Sequence, residues 1–142
     1  MAITIEVSAG ELIDRITILE IKLSRLPKRV RSELERDLRN ALSVRARTVS
    51  ASVEIDHLAD ELRAVNRQLW DVEEELRRCE REGSFDGHFV ELARTVYQSN
   101  DRRSILKSKI DELASSRVRE YKSYKLGEVS FVMSRSERAD AS

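Results

Sequence analysis

Apolar residues recur along residues 52–79 at Ile55, Leu58, Leu62, Val65, Leu69, Val72, Leu76 and Cys79. The steps alternate three and four without a break, which is the seam of a coiled coil. A tight break follows at Gly83-Ser84-Phe85-Asp86-Gly87. Beyond it the seam restarts at Phe89, Leu92 and Val96, fails at Ser99 and Arg103, and recovers at Leu106, Ile110 and Leu113. Two long helices joined by so short a loop must run antiparallel. Ser50 or Ser52 is placed to cap the first, and Ser84 or Asp86 the second. The pattern therefore predicts a helical hairpin over residues 52–119, with an arm of roughly 45 Å.

Upstream, Ile3, Ile5 and Val7 alternate with polar residues, the signature of a short strand. Ser8 and Glu11 form a capping-box pair, so a helix is expected to start near Ala9 and run to about Leu26. Leu12, Ile13, Ile16, Leu19, Leu23 and Leu26 make one stripe on it, while Ile18 and Ile21 fall opposite. A helix that is apolar on two sides is buried on two sides, here against the hairpin and against the next helix or a second copy. Pro27 separates it from a helix over residues 28–47, rich in Arg and poor in large apolar residues, which is expected on the outside of the bundle. Residues 128–133 alternate at Val129, Phe131 and Met133, a second strand signal able to pair with residues 3–7. The expected fold is all-α: a coiled-coil-like antiparallel hairpin with the N-terminal helix packed on it, a three- to four-helix bundle, with short terminal strands as one reading of its ends and an irregular tail as the other. The bundle domain is expected over residues 1–126 and a tail over 127–142.

Charge changes this picture only locally. Lys plus Arg equals Asp plus Glu at 26 each, so the 142-residue chain has no net charge and no global field to hold a polyanion. Residues 25–49 hold eight basic and three acidic side chains, residues 54–82 five and ten, and residues 94–125 nine and four. Basic helices flanking an acidic one are expected to pair with it. The Arg-rich helix lacks aromatics for stacking on bases and its acids interleave, so nucleic acid is not expected as a partner. The single cysteine, Cys79, excludes an internal disulfide framework and sits on the seam as a small hydrophobe. Neither a signal peptide nor a membrane span is read, so a cytoplasmic location is expected.

Candidate chemistry is sparse. Glu54-x-x-His57 has the spacing of a di-iron ligand pair, but a second such motif is missing, and His57 reads as a surface residue. No phosphate-binding glycine loop and no nucleophile elbow occur, and no cofactor is expected. The polar interruption of the second arm, residues 97–103, is the one notable site. Folding the hairpin brings Asn66 and Trp70 opposite Asn100 and Arg103, with Tyr97 and Arg102 nearby. Glu20, at the margin of the first helix's stripe, needs a partner, and Arg103 is the cation expected to meet it. Such a layer serves either as a register lock or as a small pocket for an anionic metabolite.

Three stretches, residues 3–22, 66–73 and 91–103, carry a resemblance. Quoted in part, they read Glu11-Leu12-Ile13-Asp14-Arg15, Asn66-Arg67-Gln68-Leu69-Trp70 and Tyr97-Gln98-Ser99-Asn100-Asp101-Arg102-Arg103. They resemble a small bacterial family of uncharacterised all-helical proteins, a domain of unknown function, over most of the chain to about Tyr124. The resemblance implies genes close to those of polysaccharide or glycosyltransferase enzymes. It brings no activity and no catalytic residue. The function expected from the residues is therefore a non-enzymatic interaction or oligomerisation module with a protein partner or a second copy. The alternative is a small helical binder or enzyme acting on an anionic metabolite.

Overall fold

The computed structural model describes residues 1–114. Four helices follow in order: α1 Ala9–Arg25, α2 Arg31–Thr48, α3 Val53–Glu82 and α4 Gly87–Leu113. A single 3-10 turn, Lys28–Val30, leads from Pro27 into α2. The molecule is an all-α bundle, and the described residues contain no strand. The strand expected over residues 3–7 is thus not formed. Alternation alone does not hold a strand; it needs a neighbour for its backbone groups, and no other extended segment lies among the described residues. Ile3 and Ile5 stand 83% and 74% exposed. The second strand expected over residues 128–133, and the end of the hairpin expected at residue 119, lie outside the described residues.

Helix starts obey their capping chemistry. Ser8 Oγ accepts from the Glu11 amide at 3.1 Å, Ser52 Oγ from the Ile55 amide at 3.2 Å, and Asp86 Oδ1 from the His88 amide at 3.1 Å. The hairpin turns at Gly83, whose φ of 67° closes α3 in the left-handed region. A Cβ there meets nothing within 4 Å, so Gly83→Ala tests conformation alone. It is expected to cost about 1 kcal/mol in urea unfolding.

The seam of α3 packs as its spacing predicts. Ile55, Leu62, Val65 and Leu69 are buried with Ala59, and Leu106 and Ile110 of α4 and Ile13 of α1 complete that core. Nearer the turn, where α1 no longer covers the hairpin, Val72 and Leu76 are only half-buried and Cys79 is buried. Helix α1 is buried on two sides. Leu12, Ile16 and Leu19 meet Leu34, Leu38 and Ala41 of α2. Its other side carries Gly10, Ile13, Asp14, Thr17 and Ile21, all buried, and faces the hairpin. The large apolar stripe of α1 therefore serves mainly α2. The face towards the hairpin sets Gly10, Asp14 and Thr17 alongside Ile13 and Ile21, and these small and polar positions let side chains from three helices meet there. Helix α2 packs on α1 and not on the hairpin helices, and takes the expected outer position.

Candidate functional site

Asp14 is the centre of the polar layer. At 100° per residue, Gly10, Asp14, Thr17 and Ile21 share one face of α1. That face runs parallel to α3 and antiparallel to α4. The Asp14 carboxylate is only 2% exposed. It accepts from Arg103 Nε at 2.8 Å through Oδ1 and from the second guanidinium nitrogen at 2.5 Å through Oδ2, a bidentate pair from α1 to α4. Asn66 of α3 donates its side-chain amide to Asp14 Oδ1 at 2.9 Å and to Thr17 Oγ1 at 2.8 Å. Thr17 in turn donates to the Asp14 carbonyl at 2.8 Å. Lys107, one turn beyond Arg103, donates to Glu11 at 2.6 Å and lies 3.9 Å from Asp14 Oδ2. One further turn on, Asp111 Oδ1 accepts the Gly10 amide at 2.6 Å.

The ladder Arg103, Lys107, Asp111 on α4 thus meets the ladder Gly10/Glu11, Asp14 on α1 rung by rung. Its chemistry is that of a clamp. The cations that an anion pocket would need are already matched by Asp14 and Glu11, and the amide that could read a ligand is spent on Asp14 and Thr17. Glu11 forms no reciprocal capping box, because its carboxylate goes to Lys107.

The residues expected at this layer separate into three groups. Asn66 and Arg103 come together, but on Asp14. Glu20 does not meet Arg103 as expected; it accepts from Arg63 at 2.7 Å instead. Glu20 lies six residues beyond Asp14 on α1, about 9 Å further along the axis, so the carboxylate level with Arg103 is Asp14. The hydrogen bond to Glu20 raises the Arg63 guanidinium above its ordinary pKa. Trp70, Tyr97 and Arg102 stand away from the clamp. Trp70 donates its indole N–H to Glu74 at 3.0 Å, Tyr97 is 54% exposed, and Arg102 lies 3.5 Å from Glu61 on the surface. Asn100 is half-buried, and Ser99 is the buried member of the interruption. Asp14, Thr17, Lys107 and Asp111 were not singled out by apolar periodicity. Their signal is the four-three spacing of Gly10, Asp14 and Thr17 on α1 and the four-residue spacing of charges on α4.

Charges elsewhere pair only in part as their zoning predicts: of the basic residues over 25–49, Arg25 and Arg45 alone reach acids of α3 among the described residues. Acids of α3 are taken up from neighbouring helices by Arg25 at Asp71 (2.7 Å), Arg45 at Asp56 (3.1 Å) and Arg102 at Glu61. Near the turn, Arg78 bridges Glu75 and Glu82 along α3, and His88 approaches Glu75. Arg78, chiefly through its hydrogen bond, holds the Glu75 carboxyl down at about 2. A depressed acid stabilises the folded state above its unfolded pKa and loses that contribution as pH falls through the folded value. The expected window is from the ordinary carboxylate range down to about 2. An NMR titration of the Glu75 carboxyl should show this midpoint, and Arg78→Gln should raise it towards the ordinary range, with His88 still holding it somewhat down.

Among the described residues no group of three or more His, Cys, Asp or Glu is arranged to hold a metal, and His57 is exposed. No helix among them is long and apolar enough to cross a membrane. A groove of about 420 Å³ opens between α3 and α4, lined by Glu61, Gln98, Asp101, Arg102, Ile105, Leu106 and Lys109.

These features define a small all-helical bundle whose N-terminal helix is ion-clamped to a long hairpin. The chain belongs to a family of unknown function, DUF6165, whose model matches residues 3–136. The match includes α2 and extends past Tyr124, further than the resemblance read from the three stretches. No curated protein matches the chain, and no solved structure matches it.

Proposed function

We propose that this protein is a non-enzymatic helical adaptor or scaffold, acting through contacts with a protein partner or a second copy in the bacterial cytoplasm. The observation that carries this reading is the internal satisfaction of the clamp. Asp14 draws Arg103 and Asn66 onto itself, so the most conspicuous polar cluster holds three helices in register and leaves little to bind a substrate. The outer helix, which packs on α1 and reaches the hairpin through the Arg45–Asp56 pair, supports the same reading. A link to cell-surface polysaccharide biosynthesis follows from the gene neighbourhood that the family resemblance implies.

Cross-linking in the source cells followed by affinity purification tests the adaptor. One stoichiometric partner is the expected result, and its absence would overturn the reading unless light scattering of the pure protein gives at least twice the 16.4 kDa chain mass. The second reading, a binder of a small anionic metabolite, is favoured by Gln98, Arg102 and Lys109 in the α3–α4 groove. A rise in melting temperature with a dicarboxylate or phosphate ester, abolished by Arg102→Gln, would establish it in place of the adaptor.

A further inference from the structure

Helix α2 divides its arginines between two tasks. Arg45 reaches α3 at Asp56, and Arg31 lies 3.7 Å from Glu35. Arg36, Arg39 and Arg47 share the opposite face with Ser32, Asn40 and Ser43, and Arg29 of the 3-10 turn continues it. All four of these cations are exposed. Arg39, Arg29 and Arg47 have no carboxylate partner among the described residues, and Arg36 has only its neighbour Asp37 at 3.7 Å. The acids of α2, Glu33, Glu35 and Asp37, point to the flanks of this stripe. With α1 covering the apolar side, the basic stripe runs the length of an 18-residue helix, about 27 Å.

From this arrangement we infer that the outer face of α2 docks an acidic helix of another protein, one that presents Glu or Asp at three- and four-residue spacing. The inference rests on the adaptor reading. Its argument is charge complementarity. Inside the chain, guanidinium groups from neighbouring helices meet the acids of α3, and α2 offers the same chemistry with nothing opposite. Guanidinium is suited to the task because its planar fork engages a carboxylate through two hydrogen bonds. A second copy of this chain is a poor occupant. Of its outward acids on α3, Asp56, Glu61, Asp71 and Glu82 are already matched by Arg45, Arg102, Arg25 and Arg78. The exposed Glu54, Glu73 and Glu80 stand too far apart to give the three- and four-residue spacing. Nucleic acid is disfavoured because the face carries no aromatic side chain on which a base could stack. A chain of zero net charge also gathers no general counter-ion field. What remains is a local, geometrically spaced contact.

Fluorescence anisotropy with two synthetic helical peptides tests the idea on the full chain. Both have the length of α2 and the same composition. One carries its glutamates along a single face, and the other spreads them round the helix. The one-faced peptide is expected to bind about tenfold more tightly at low salt, with an advantage that falls as salt rises. Single exposed ion pairs contribute little, so three are removed together. The variant R36Q/R39Q/R47Q should abolish the advantage while its circular-dichroism melting curve stays unchanged, and R39Q alone should reduce it. Equal binding of the two peptides, or an advantage that survives in the triple variant, would overturn the inference and leave the adaptor reading intact. Tighter binding to duplex DNA or to phosphatidylglycerol vesicles than to the one-faced peptide would overturn it in favour of a polyanion. A failed partner search, by contrast, would remove the adaptor and leave the peptide result standing.

Discussion

Asp14→Ala is expected to lower the unfolding free energy by about 3 kcal/mol and the melting temperature by about 10 °C. The substitution leaves two cations without their central carboxylate. Lys107 is 8% exposed and Arg103 29%. It also strips Asn66 of one of its two acceptors. Removing one partner of a buried pair costs about 3–5 kcal/mol because the surviving charge keeps its desolvation penalty. The lower end applies here, since Arg103 retains access to water. Against a total stability of about 5–15 kcal/mol this is a large fraction. Urea unfolding followed by circular dichroism measures it. The double variant Asp14→Leu/Arg103→Met separates clamp from charge. It removes both partners and fills their volume with apolar groups, so most of the lost stability should return. A loss below about 1 kcal/mol in Asp14→Ala would show that this pair does not seat α1 on the hairpin.

The sequence makes the hairpin legible because two physical rules agree there. The apolar spacing of α3 repeats without fault, and Ser52, Gly83 and Asp86 supply a start, a left-handed stop and a second start. The two-sided burial of α1 is legible for the same reason. The clamp is half legible. Arg103 interrupts an apolar seam and so marks itself as a cation needing a partner, and Asn66 falls opposite it once the hairpin closes. The carboxylate that answers is invisible to a search for apolar stripes. Asp14 lies with Gly10 and Thr17 on the hairpin face of α1, alongside Ile13 and Ile21, and the axial offset between α1 and α4 decides whether Asp14 or Glu20 meets Arg103. That offset is fixed by where Gly10 lets the two backbones touch, a tertiary quantity. The segment at residues 3–7 shows the opposite failure. Its alternation satisfies the local rule for a strand, yet a strand is defined by its neighbour, and local pattern cannot supply one.

Gly10→Ala should be nearly as damaging as loss of Asp14, although Ala is the better helix former. A Cβ at this position would lie 2.4 Å from the Lys107 carbonyl oxygen and 2.8 Å from Asp111 Oδ1. The first is a backbone atom of α4 and cannot swing aside, so α1 and α4 must separate at their junction. Separation stretches the hydrogen bond from the Gly10 amide to Asp111, now 2.6 Å, and pulls Glu11 from Lys107. Relief of glycine's entropy in a helix returns about 0.5–1 kcal/mol. Overpacking costs about 1–3 kcal/mol, and weakening a hydrogen bond to a charged acceptor costs about 1.5–3 kcal/mol. The balance is a net loss of about 1.5–5.5 kcal/mol, with faster hydrogen exchange at the residue 10 amide as its local signature. Substitution at Lys107 cannot rescue it, because the obstacle is that residue's carbonyl. Gly83→Ala provides the contrast, since its Cβ meets empty space and only the backbone conformation is taxed. A Gly10→Ala protein as stable as the parent would mean that the N-terminus of α1 does not rest on α4, and the register that brings Asp14 to Arg103 would then need another cause.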